Sequence, residues 1–168
     1  SAMLEGLDLP NLKHRIDIDA LDKWIGTCDG DIEARIANVR GDTLADVLYT
    51  SGTTGKPKGV MCTHAQNIRV FETWSAGVTL NESDNYLIIN PYFHSFGYKA
   101  GWLAALIRGA TAYPMQTFDL DKSLSLIQEA KISFLPGAPT IFQTLLNHPD
   151  RTSFDTTSLR CAVTGINY

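Results

Sequence analysis

Tyr49-Thr50-Ser51-Gly52-Thr53-Thr54-Gly55-Lys56-Pro57-Lys58-Gly59-Val60 is the stretch on which the reading of this chain turns. Before it, Ala45-Asp46-Val47-Leu48-Tyr49 has the apolar content of a short buried strand, suited to the inside of a sheet. The run that follows is small and hydroxylated, contains Gly52 and Gly55, and ends in two lysines separated by Pro57. Such a loop can bring many backbone N–H groups and hydroxyls onto one anion, because no bulky side chain holds the ligand away. Its lysines add compact positive charge where a polyphosphate is negative. This is the composition of a nucleotide-phosphate loop; the plainer alternative is a flexible Gly/Thr surface hairpin. It is not a Walker loop, whose pattern is G-x-x-x-x-G-K-[ST]. Gly52 and Gly55 enclose only two residues, and a proline follows Lys56.

The spacing downstream predicts alternating strands and helices. Val60-Met61-Cys62 suits a short strand, and Thr63 with Gln66 has the spacing of a capping box. A helix follows through Ile68, Phe71 and Ser75, with Val70 and Trp74 beside them, and stops at Gly77; His64 falls in its first turn, read as solvent-facing. Asn85–Asn90 has the continuous apolar centre of a strand covered on both faces. Gly101–Ile107 suits a buried helix ending at Gly109, Ala110–Pro114 a strand, and Asp119 or Asp121 the start of a helix through Leu120, Leu124 and Ile127. Lys131–Pro136 reads as a strand, Pro139 as the opening of a helix through Ile141, Phe142, Leu145 and Leu146, and Leu159–Gly165 as a last strand. This order predicts an α/β fold, a mostly parallel sheet with flanking helices and right-handed crossovers. Upstream, Leu12–Ile18 could hold a strand, and Asp19–Ile25 and Ile32–Val39 short helices.

A second informative stretch is Pro91-Tyr92-Phe93-His94-Ser95-Phe96-Gly97-Tyr98. A lone histidine among aromatics is ordinarily a packed residue with one satisfied nitrogen. Here it falls at the carboxyl end of a strand, where open α/β sheets bind ligands.

With 44% apolar and 19% charged residues in 168, the composition is globular. The net charge of −4 and scattered basic residues argue against nucleic acid as a partner. No apolar run reaches membrane-spanning length and no secretory signal opens the sequence. Cys28, Cys62 and Cys161 are odd in number and far apart, which favours a reduced, cytoplasmic setting over a disulfide framework or zinc site. Ser1-Ala2-Met3 reads as a cloning scar and residues 4–45 as a connector.

The order Tyr-Thr-Ser-Gly-Thr-Thr-Gly-x-Pro-Lys-Gly-Val resembles the signature of the adenylate-forming superfamily, which includes acyl-CoA synthetases, luciferase and the adenylation domains of peptide synthetases. Phe93-His94-x-Phe96-Gly97 resembles its aromatic–histidine motif, and the likeness runs from about Asp46 to Gly165. The wording around His94 and from Leu135 to Gln143 is most similar to bacterial acyl-CoA synthetases of the FadD type, including actinobacterial ones acting on a steroid-ring-derived propanoate. The resemblance implies an ATP-dependent carboxylate–CoA ligase acting through an acyl-adenylate, with ATP, Mg²⁺ and CoA as co-substrates. Thr50, Ser51, Gly52, Thr53, Thr54, Gly55, Lys56 and Lys58 would hold the phosphates. Lys56 would be a mobile charge, and Lys58 would either contact phosphate or brace the loop against a carboxylate. Phe93, His94 and Phe96 would border the acid's pocket, and Gly97 and Gly165 would let substrate approach the backbone.

Family members continue with a Tyr-Gly-x-Thr-Glu motif, a ribose-binding aspartate and a small domain bearing the adenylation lysine. None of these is in the 168 residues, so the resemblance implies part of a large N-terminal domain with no catalytic or metal-ligating residue of its own, inactive alone and prone to self-association through exposed edges. Two other readings stand beside it: an adenylation domain that activates an amino or aryl acid for a carrier protein, and a stand-alone nucleotide-binding module.

Overall fold

Alternation along the central strands builds the core. Strand β3 (Asn85–Ile88) sends Leu87, and just beyond it Ile89, to one face of the sheet, and Tyr86 and Ile88 to the other. A period of two places successive side chains on opposite faces, so a strand apolar at every position must be covered on both. On the first face Leu87 and Ile89 pack with Leu124, Ile127 and Leu145 of helices α5 (Leu120–Glu129) and α6 (Pro139–Leu146). On the second, Tyr86 and Ile88 pack with Phe134 and with Ala104 and Ala105 of α4 (Ala104–Arg108), and Trp74 of α3 (His64–Gly77) lies against them.

The computed structural model describes residues 6, 8, 10–13, 19, 21–25, 30–50 and 55–165. They fall in two units that divide between Val39 and Arg40. The first holds the short helices α1 (Leu21–Ile25) and α2 (Ile32–Ala37), the latter capped by Asp31, whose carboxylate accepts from Ala34 N–H at 2.9 Å. The strand expected from Leu12 to Ile18 falls mostly outside the described residues.

In the second unit, β4 (Thr111–Pro114), β3, β5 (Phe134–Pro136) and β6 (Cys161–Val163) form a four-stranded parallel sheet in that order. The mostly parallel α/β architecture read from the sequence is therefore present. Asp119 caps α5 through Lys122 N–H at 2.9 Å, and Gly109 ends α4 in the left-handed region at φ 72°, as their spacing indicated. At α3, Thr63 and Gln66 form both bonds of the capping box.

Four expectations are corrected. The strand before the phosphate loop, β1 (Leu44–Thr50), is not buried in the sheet. It pairs antiparallel with β2 (Lys58–Thr63) alone, in a separate hairpin. With a single neighbour it half-buries only Ala45, Asp46 and Leu48, and Tyr49 is 75% exposed. The helix expected from Gly101 begins earlier and is irregular: a π-helical segment (Phe96–Leu103), kinked at Gly101, runs into α4. The face of α3 that is covered is set by Asn67 and Ser75, with Ile68 and Val70 outward, because the hairpin and the crossover flank the helix on that side. The last two strands are shorter than their apolar runs; the turn at Lys131 (φ 50°) delays the start of β5, and β6 covers only Cys161–Val163.

Candidate functional site

Both stretches singled out in the sequence lie in the second unit. At one, β1 delivers Thr50 and β2 departs from Lys58, and these two residues are register partners across the hairpin. Gly55 has φ 80°, in the left-handed region that glycine enters without strain. Lys56 and Lys58 are exposed. Ser51, Gly52, Thr53 and Thr54 lie outside the described residues.

At the other, the carboxyl ends of β3, β5 and β6 meet in a cleft of about 340 Å³ lined by Asn90, His94, Phe96, Gly137, Ala138, Pro139 and Gly165. His94, Phe96 and Gly165 were expected there; Asn90 and the Gly137–Pro139 turn were not. Asn90 Nδ2 donates to the Pro136 carbonyl at 3.4 Å, and Gly137 N–H to the Val163 carbonyl at 2.9 Å, which ties the three strand ends together. Pro139 opens α6, and Ala138 at its cap offers no side-chain acceptor. The first N–H groups of the helix are therefore not satisfied by a capping side chain, and such an end favours negative charge. The space above Gly165 is open.

The turn holds its histidine in one tautomer. Phe96 N–H donates to His94 Nδ1 at 3.2 Å, so in the neutral ring the proton sits on Nε2, leaving a donor at that nitrogen. Trp74 meets the Phe96 ring edge-on, centroids 6.3 Å apart. Phe93 is 86% exposed and lines a different, apolar cleft of about 510 Å³ with Asn90, Pro91, Tyr92 and the Pro114–Gln116 turn. Gly97 lines neither. A Cβ there would run into the Asn90 and Pro91 carbonyl oxygens, so glycine lets the crossover fold tightly against the end of β3.

Behind the turn, Tyr86 donates its phenol proton to the Ala100 carbonyl at 2.9 Å, and burial pushes that phenol far up, so it stays a donor. A second buried group was not singled out in the sequence. Lys99 Nζ lies 2.9 Å from Asp46 Oδ1, with 6% and 12% of the two side chains exposed. Asn67 Nδ2 donates to Asp46 Oδ2 at 2.6 Å. Burial pulls the Lys99 ammonium down, but its contacts with Asp46 and Cys62 outweigh this and hold it above its ordinary value. The signal was available: Lys99 is the one charge in the largely apolar run from Phe96 to Ile107.

Among the described residues there is no group of three His, Cys, Asp or Glu side chains placed to hold a metal ion, and no helix long and apolar enough to cross a membrane.

The chain has known relatives. A ligase of Rhodococcus jostii, 3-[(3aS,4S,7aS)-7a-methyl-1,5-dioxo-octahydro-1H-inden-4-yl]propanoyl:CoA ligase, is 51% identical over 133 residues, 79% of this chain and 26% of the ligase. The Mycobacterium tuberculosis ligase of the same name is 46% identical over 174 aligned positions, 98% of this chain and 34% of that protein. The chain thus spans about a quarter to a third of the length of these curated relatives. Among solved structures, the N-terminal domain of FACL13 from M. tuberculosis superposes with a TM-score of 0.84 at 26% identity, over 99% of this chain and 41% of that one. ATP-bound MatB from Rhodopseudomonas palustris superposes with 0.66 at 29% identity, over 76% of this chain and 25% of that one. The family model described as AMP-binding enzyme matches residues 4–167, so this chain belongs to the AMP-binding enzyme family.

Proposed function

We propose that this chain supplies the ATP-phosphate loop and the acid-binding cleft of a carboxylate–CoA ligase that works through an acyl-adenylate, on a fatty or steroid-derived acid. The single observation that carries the reading is the joint presence of a glycine- and threonine-rich loop ending in Lys58 and a strand-end cleft containing His94, in a chain whose relatives are named as CoA ligases. The carboxylate oxygen attacks the α-phosphorus of ATP and the bond to the bridging oxygen of pyrophosphate breaks; the thiol of CoA then takes the acyl group and AMP leaves. No general base is required for the first step, because a carboxylic acid is ionised near neutral pH.

What the protein must do is hold charge. Thr50, Ser51, Thr53 and Thr54 offer hydroxyls to the β- and γ-phosphates, Gly52 and Gly55 let backbone donors close in, and Lys58 adds a fixed charge that Lys56 supplements. Mg²⁺ bound to ATP would supply charge neutralisation to the phosphates that the Thr50–Lys58 loop holds. At the cleft, His94 Nε2–H donates to a carboxylate oxygen, Phe96 packs on the chain of the acid, and Gly165 leaves room for it. The exposed hairpin and sheet edges favour self-association, and the cysteine usage favours a reducing, cytoplasmic setting.

Calorimetric titration of Mg·ATP tests the loop. Binding to the unaltered chain that weakens at least tenfold in both Lys58→Ala and Thr53→Ala is the expected result. Equal binding in all three proteins, or none in any, contradicts the reading.

A further inference from the structure

Asp46 and Lys99 come from the two halves of the proposed site. Asp46 lies four residues before Thr50 on β1, the strand that delivers the phosphate loop. Lys99 lies five residues after His94, on the π-helical segment that continues the aromatic turn. Among the described residues theirs is the one ion pair between the hairpin and that crossover. The hairpin shares no backbone ladder with the four-stranded sheet, and backbone hydrogen bonds from His64 and Ala65 to Thr43 and Gly41 tie only its open end to α3, so side chains decide how the rest of it sits against the crossover. Hydrophobic contact alone does this loosely, because apolar surfaces can slide without losing burial, whereas a buried ion pair has one productive geometry.

The surroundings make that geometry demanding. Asp46 Oδ1 is buried and accepts no well-aligned hydrogen bond, so the Lys99 charge beside it is its compensation. Asp46 Oδ2 takes the amide of Asn67, itself buried on α3, and Cys62 on β2 is the register partner of Asp46. Three elements thus converge on one carboxylate. Lys99 is fixed in turn by its backbone: Tyr86 holds the neighbouring Ala100 carbonyl, and at the kink Gly101 lies so close to Ile88 that a Cβ would sit 3.0 Å from the Ile88 side chain. π-helical turns are rare and are found frequently at functional sites.

We infer that Asp46 and Lys99 are a positioning pair that sets the phosphate-loop hairpin in a defined place relative to the His94 turn. The inference rests on the proposed function for its purpose, but the coupling itself can be read without any ligand.

The test is amide hydrogen exchange followed by mass spectrometry on the unaltered chain and on the double variant Asp46→Leu/Lys99→Met. Removing both charges together, with side chains of similar size, avoids leaving one buried charge alone. The expected result is a melting temperature within a few degrees of the parent's, with exchange at least tenfold faster in both residues 47–50 with 58–61 and residues 94–100. Unchanged exchange in both segments, or acceleration in only one, overturns the inference. If the double variant does not fold, Asn67→Ser removes the second partner of Asp46 with no charge exposed, and the same paired acceleration is expected. Mg·ATP binding measured on the same samples separates the two claims. Paired acceleration without ATP binding in the parent upholds the coupling and defeats the functional reading. ATP binding with unchanged exchange defeats the coupling alone.

Discussion

Asp84 shows what a single carboxylate does for this fold. Burial pushes its pKa up, but the Arg160 guanidinium, the Ser133 hydroxyl and the Asn81 N–H outweigh burial and hold it below the ordinary value of 3.8. Arg160 Nε donates to Asp84 Oδ1 at 2.8 Å, Arg160 Nη2 donates to Asp84 Oδ2, and the guanidinium also reaches the Thr79 carbonyl and hydroxyl. The clamp fastens the start of β3 to the start of β6 and holds Thr79 at φ 60°. A carboxyl whose folded pKa is depressed contributes stability above its unfolded pKa and loses it as pH falls through the folded value. Thermal stability should therefore be level from neutral pH to about pH 4 and decline below it. In Arg160→Met that acid decline should be much smaller, on a chain already less stable at pH 7. Melting temperature against pH for the two proteins checks this, and parallel curves would show that the clamp does not carry the acid response.

At the scale of elements, the crossover after β3 decides the geometry of the cleft. Its sequence announces a helix by composition but not its irregularity, because hydrophobic pattern is blind to a π-turn and to a kink that depends on a strand packed beneath it. Gly97 was expected to let substrate approach the backbone; that the space is filled by the protein's own carbonyls could only come from the fold. Gly97→Ala should cost about 1–3 kcal/mol, the range for forcing atoms into packed space, or prevent folding. Urea denaturation measures it, and a change below about 0.5 kcal/mol would mean that the turn relaxes freely. The capping box of α3, by contrast, was readable from four residues, since both of its bonds are local.

Across the whole molecule, the alternation of strands and helices and the parallel sheet were legible from the apolar and helical spacing, and residues 49–60 and 91–98 marked the two candidate stretches. What was not legible depends on contacts distant in sequence. β1 looks like a central strand because its apolar content is that of one; its separation into a hairpin follows from which neighbours it finds. Asn90, Gly137, Ala138 and Pro139 join the cleft only because three strand ends come together. Lys99 and Asp46 are 53 residues apart, and no local pattern pairs them.

The claim at the centre of this account is that residues 50–58 are a phosphate cradle. Backbone amide NMR of the chain titrated with Mg·ATP tests it most directly, because it locates the ligand as well as detecting it. The largest shifts are expected at the amides of residues 50–56 and at Lys58, with smaller ones following in the strands of the hairpin. Shifts concentrated elsewhere, or a loop that does not respond at saturating nucleotide, would contradict it.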